Sequence, residues 1–278
     1  MGMRLIFKQR IAVFLGLAVA LGIIMTACSR GVSPNTASQS PSPSSQPTIE
    51  LTVSAAASLT DALQQIAPLY QKSTPTATVR YNFASSGALQ RQIEQGAPVD
   101  VFIAAAAKPL NQLEAKNLLV PGTKRNLLKN RMVLIVPANQ SGISTLQNLT
   151  NDAVKRIAIG DPASVPAGQY AQQVLEKQGL WETLQAKYVL ANNVRQVLQF
   201  VESGNVQAGL VYLTDAKTSN QVKVVETIAD NLHDPIVYPI SVIKSSKHPE
   251  AATDFVNFLA SPPAQSVFTQ SGFEIAPR

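Results

Sequence analysis

The stretch "YNFASSGALQRQIEQGAPVDVFIAA", Tyr81 to Ala105, decides the fold. Two apolar, strand-like segments flank a short helical pattern, and the joint before the helix is Ser85-Ser86-Gly87. Leu89 and Ile93 recur four residues apart, the pattern stops at Gly96, and extended character resumes at "VDVFIAA". A strand handing over to a helix that returns to a strand is the repeating unit of an α/β sheet. The handover here uses small neutral hydroxyls and a glycine, with no charge at the turn.

The same arrangement recurs along the chain. Strand-like runs are "IELTVSAAA", "ATVRYNFA", "VDVFIAA", "RMVLIVPA", "RIAIGDP", "AKYVLAN", "AGLVYLT", "VKVVETI" and "IVYPISVI". Amphipathic segments lie between many of them; from Leu59 to Tyr70 the apolar positions are Leu59, Ala62, Leu63, Ile66, Ala67 and Tyr70. This alternation predicts an α/β fold with mainly parallel sheets. No stretch inside it reads as a loose linker, which points to two lobes sharing crossovers.

Outward from this body, the first 48 residues differ in kind. Arg4, Lys8 and Arg10 precede an uninterrupted apolar and small-residue run from Ile11 to Met25. That is the layout of a secretory signal, short for a transmembrane helix. It ends in "MTACS", which resembles the lipobox of bacterial lipoproteins, with Met25 where Leu is usual. Cys28 is the single cysteine, so an intrachain disulfide is excluded and lipid attachment is its most economical use. Residues 1–27 are thus expected to be a signal peptide. Residues 28–48, rich in Ser and Pro, read as a lipid-anchored tether with a reach of roughly 60 Å. The net charge of +6 is concentrated in this leader. Residues 49–278 carry 19 basic against 17 acidic residues, which is no nucleic-acid footprint.

Four helix starts and one tyrosine carry the candidate site. Ser58 opens S-L-T-D, a capping-box spacing, directly after a strand. Ser85 or Ser86 can cap the next helix. In "IGDPASVPAGQYA" a strand gives way to Pro166, Ala167 and Gly168, small residues that leave their own amides open. Asn192 or Asn193 caps a helix bearing Val194, Val197, Leu198 and Val201, and the following strand carries Tyr212 near its end. In an α/β sheet such turns share the carboxyl edge, where ligands bind. First-turn amides there lack partners and form an anion site. Neutral donors suit a fully deprotonated tetrahedral dianion, whereas an anion carrying a proton needs an acceptor as well. Asp161, Arg195 and Asp215 lie close in sequence to these turns, and the pattern alone does not place them.

In order and spacing, "AAASLTDAL", "FASSGALQRQIEQGAPVDVFI", "GDPASVPAGQYA", "NNVRQVLQFVESGNVQAGLVY" and the closing Gly272-Phe273 resemble the molybdate-binding proteins of bacterial ABC transporters. These are type II periplasmic binding proteins. The resemblance implies lobe 1 from residues 49–129 plus 238–278 and lobe 2 from 130–237, with hinges near Asn130 and Tyr238. It implies oxyanion contacts from the hydroxyl and amide of Ser58 and of Ser86, the amides of Ala167 and Val194, and the hydroxyl of Tyr212. It further implies molybdate or tungstate as the ligand, with molybdenum held as the oxyanion, no cofactor and no side-chain metal ligands. A membrane permease as partner, an extracytoplasmic location and a monomeric state complete the expectation. The chain departs from the pattern at Ala104-Ala105-Ala106, where relatives commonly have Ser-Ala-Asp, and at Asn192, where an acid is frequent.

Three other functions fit parts of the pattern. A sulfate or thiosulfate binder would use the same neutral donors. A serine hydrolase on Ser58 or Ser86 lacks a G-x-S-x-G elbow, and the two histidines, His233 and His248, lie far along the chain. An adhesin would need no such convergence of donors. A non-enzymatic solute-binding protein is therefore the expectation.

Overall fold

The computed structural model describes residues 48–277. The expected signal peptide, Cys28 and nearly all of the expected tether fall outside the described residues.

The chain runs through β1 (Ile49–Ala56), a 3-10 turn (Ala57–Leu59), α1 (Thr60–Ser73), β2 (Ala77–Ala84), α2 (Ser86–Glu94), β3 (Val101–Ile103), α3 (Ala107–Ala115) and β4 (Arg125–Lys129). Next come β5 (Met132–Pro137), β6 (Ile157–Gly160), α4 (Pro166–Lys177), α5 (Trp181–Leu184), β7 (Tyr188–Ala191) and α6 (Val194–Glu202). They are followed by β8 (Ala208–Tyr212), α7 (Leu213–Ala216) and β9 (Val222–Thr227). Then β10 (Val237–Val242), α8 (Pro249–Leu259), α9 (Pro262–Gln270) and β11 (Glu274–Ile275) close the chain. Every strand-like run quoted above forms a strand. β4 and β11 carry no period-two signal strong enough to announce them.

Two sheets result. The first has the order β11-β4-β10-β3-β1-β2 and the second β7-β6-β8-β5-β9. Strands linked by helices pair in parallel, as alternation predicts: β1 with β2 and β3, and β6 with β7 and β8. The sheets as wholes are mixed. β10 runs antiparallel to β3 and β4, and β5 runs antiparallel to β8 and β9. Both of these strands enter from the other sheet, so no helical crossover fixes their direction.

The helices bury the faces that their spacing dictates. On α1, Ala62, Leu63, Ile66 and Tyr70 are buried; on α6, Val194, Val197, Leu198 and Val201 are. Each fully buried Leu, Ile or Val removes apolar surface worth about 1.5–3 kcal/mol. The central strands β3 and β8 are buried along their whole length, which is why they read as continuous apolar runs. The chain passes between sheets twice, at Asn130-Arg131 and between β9 and β10. The Asn130 amide donates to the Ile236 carbonyl at 3.3 Å, so the two passages touch.

Candidate functional site

The carboxyl ends of the helix-linked strands in both sheets meet at one small cavity of about 10 Å³. Its wall takes Ala56 and Ala84 from the ends of β1 and β2, and Tyr212 from the end of β8. Ser58, Ser86, Ala167, Val194 and Tyr212 all line it and all are buried. Among the described residues, no charged side chain lines this cavity. The free space is on the scale of one compact group.

Three backbone donors come from helix starts. Ser86 and Val194 are the first residues of α2 and α6, and Ala167 is the second of α4. Amides in a first turn have no intrahelical acceptor and sit at the positive end of the helix dipole. Asn193 caps α6 by accepting the Gln196 amide at 3.0 Å, which leaves the Val194 amide clear. The start of α4 lies tight against β6. A methyl group on Gly168 would stand 2.0 Å from the Gly160 carbonyl oxygen, so only glycine allows that approach.

The serines do not cap their helices, contrary to the capping-box reading. Ser58 sits in the 3-10 turn, α1 starts only at Thr60 with Leu59 as N-cap, and Ser58 Oγ lies 2.9 Å from the Tyr238 hydroxyl. Ser85 occupies the N-cap of α2 without a side-chain bond to the helix. Ser86 Oγ accepts the Ala105 amide at 2.9 Å instead. A hydroxyl that accepts from the protein keeps its own proton for something else. Tyr212 reaches the same end by a different route, since its hydroxyl donates rather than accepts. Burial, reinforced by Tyr238, Tyr170 and Asp215, holds its hydroxyl well above the usual tyrosine range, so it stays protonated. Its contact with the Ala105 carbonyl is 3.5 Å, too long to consume the proton fully.

The charged residues near these turns point elsewhere. Arg195 pairs with Asp215 at 2.6 Å and with Asp61 at 2.5 Å, and its Nη2 also reaches the Ser58 carbonyl at 3.5 Å. Asp215 is fully buried; burial pushes its carboxyl up to about 6 against the pull of Arg195. Asp161 is spent on its own loop, accepting from the Ala163 amide and the Ser164 hydroxyl. Nothing local marks the Arg195 cluster in the sequence, because Asp61 lies 134 residues before it.

The two sheets' layers also touch directly. The Gly87 amide donates to the Ser164 carbonyl at 3.0 Å, and a Cβ on Gly87 would stand 2.6 Å from that oxygen. Beyond this contact, α3 and α4 face one another across a wider cleft of about 870 Å³. Lys108, Asn111, Gln173, Glu176 and Asp234 line it, so donors and acceptors of both signs are mixed there. The small cavity has no such mixture.

The chain is similar to known proteins. ModA of Haemophilus influenzae, a molybdate-binding protein, is 40% identical over 229 residues, covering 81% of this chain and 89% of its own length. The molybdate-binding protein ModA of Escherichia coli K12 is 38% identical over 231 residues, with coverage of 81% and 89%. The solved structure of the Azotobacter vinelandii periplasmic molybdate-binding protein matches with a TM-score of 0.74 at 28% identity, over 82% of this chain and 100% of that one. The pattern of one family spans residues 51–274, both sheets and the cavity included. The chain belongs to the bacterial extracellular solute-binding proteins.

Proposed function

We propose that the chain captures molybdate, and tungstate with it, and delivers the anion to the permease of an ABC transporter. The observation that carries this is the convergence of Ser58, Ser86, Ala167, Val194 and Tyr212 on a cavity walled by neutral donors. The names borne by the relatives support molybdate over other tetrahedral dianions. Charge-assisted hydrogen bonds contribute about 1.5–3 kcal/mol each, so seven donors offer on the order of 10–20 kcal/mol gross. Desolvation and ordering of the lobes offset much of it, leaving a Kd on the order of 10⁻⁸ M.

In this reading, residues 49–129 and 238–278 move as one lobe and residues 130–237 as the other. They hinge near Asn130 and Tyr238 and close over the anion. Acylated Cys28 holds a monomer at the outer face of the membrane through the Ser/Pro tether. The chain performs no catalysis.

Calorimetry of the protein with molybdate, tungstate, sulfate and phosphate tests this. Tight binding of the first two, with sulfate much weaker, is expected. Equal affinity for sulfate would reject the specificity, and binding of none would reject the oxyanion site.

A further inference from the structure

The geometry points to Tyr238 and Asn130 as positioning residues that fix the direction of the Ser58 proton and thereby exclude anions that carry a proton of their own. This rests on the oxyanion reading given above.

One chain of hydrogen bonds sets this direction. Asn130 Oδ1 accepts the Arg131 amide at 2.9 Å. A backbone N–H can face only the oxygen end of the side-chain amide, so its orientation is settled. Asn130 Nδ2 then donates twice, to Thr214 Oγ1 at 2.9 Å and to the Tyr238 hydroxyl at 3.1 Å. Tyr238 is fully buried, and burial above all holds its hydroxyl in the protonated form. With Asn130 donating to it, its own proton has one partner left among the described residues, Ser58 Oγ at 2.9 Å. A buried hydroxyl proton without an acceptor is costly, so Tyr238 donates to Ser58.

Ser58 therefore receives a proton on one lone pair and has its own proton free to turn away from Tyr238, into the small neutral cavity, one of two that it lines. Ser86 is set the same way by the Ala105 amide. The guest meets hydroxyl protons from both serines. A hydrogen phosphate dianion, whose P–OH needs an acceptor, meets a misdirected dipole.

The backbone is built for this placement. β10 is a central strand, yet it carries Pro239, and its register shifts between Tyr238 and Pro239. Proline in a central strand is confined to bulges, and bulges re-aim side chains. Asn130 and Tyr238 also flank the two passages between sheets, so the setting of Ser58 is tied to both.

The test compares molybdate and inorganic phosphate by calorimetry at mildly alkaline pH, in the wild type, Tyr238→Phe and Asn130→Asp. Tyr238→Phe keeps the ring and frees Ser58 to rotate. The molybdate-to-phosphate affinity ratio is expected to narrow about tenfold, chiefly through weaker molybdate binding. Asn130→Asp replaces a donor by an acceptor and reverses the relay, so the ratio is expected to narrow roughly a hundredfold. Its added charge acts on both dianions and largely cancels in the ratio. An unchanged ratio in Tyr238→Phe overturns the inference, even if that variant melts at a lower temperature. Should Asn130→Asp not fold, Tyr238→Phe decides alone. Absence of oxyanion binding by the wild type would overturn the parent reading, and the inference with it; wild-type binding with an unaltered ratio overturns the relay alone.

Discussion

Val194 and Arg195 are adjacent in sequence and serve opposite ends. Val194 lends an amide to a cavity with no charged side chain in its wall. Arg195, one residue on, is enclosed by Asp61 and Asp215 and spends its guanidinium on them. Asp61 belongs to α1 beside the first sheet, and Asp215 to α7 beside the second, so the full charges join the two layers. In the proposed reading, the partial charges of amides and hydroxyls are kept for the guest. A lysine or arginine in the cavity would attract any anion; oriented dipoles discriminate by where each proton must go.

The largest effect that could break this contrast comes from Arg195→Met. It leaves Asp215 buried without its cation and should lower stability by about 3–5 kcal/mol at pH 8. The folded value of Asp215, about 6, lies above its ordinary 3.8. Its contribution to stability is therefore fully present below about pH 4 and lost as the pH rises through about 6. Denaturant titrations should accordingly show a much smaller penalty for Arg195→Met at pH 5, where Asp215 takes up a proton. Equal losses at both pH values would contradict the pairing. Collapse of molybdate affinity with stability intact would make Arg195 a ligand and end the contrast.

Gly87→Val should come next. The new side chain meets the Ser164 carbonyl only when the layers touch, so molybdate affinity should fall roughly a hundredfold. Melting of the ligand-free protein should hardly move. A large drop in ligand-free melting would mean that the layers are held together without a guest. The smallest of the three is Tyr212→Phe, which removes one neutral donor and should weaken molybdate binding by roughly 1–3 kcal/mol without unfolding either sheet. Unaltered affinity would strike Tyr212 from the site.

Much of this was readable along the chain because it is local. Strand runs, helix faces and the turns at Ser58, Ser86, Ala167 and Val194 all follow from neighbours within one or two helical turns. Partners distant in sequence were not readable. Ser58 gave an S-L-T-D spacing and so suggested a capping box, yet its hydroxyl is claimed by Tyr238, 180 residues on. The same distance hides Arg195 from Asp61. Strand direction was half legible: helix-linked strands run parallel as expected, but β5 and β10 arrive from the opposite sheet and no local pattern states which way they point. The resemblance named five residues of the cavity wall; it gave no hint of the partners, Tyr238 and the Ala105 amide, that meet the two serine hydroxyls.

The double passage between sheets has a consequence for how the molecule comes together. The second sheet is drawn from one continuous stretch, β5 to β9, and can assemble as soon as that stretch is available. The first sheet begins at the N-terminal end yet needs β10 at its centre and β11 at its edge. The layer begun first is thus finished last, and β3 waits for β10, more than 130 residues later, to cover its open side. Pairing over so long a separation slows folding, so the second sheet is expected to form before the first is complete.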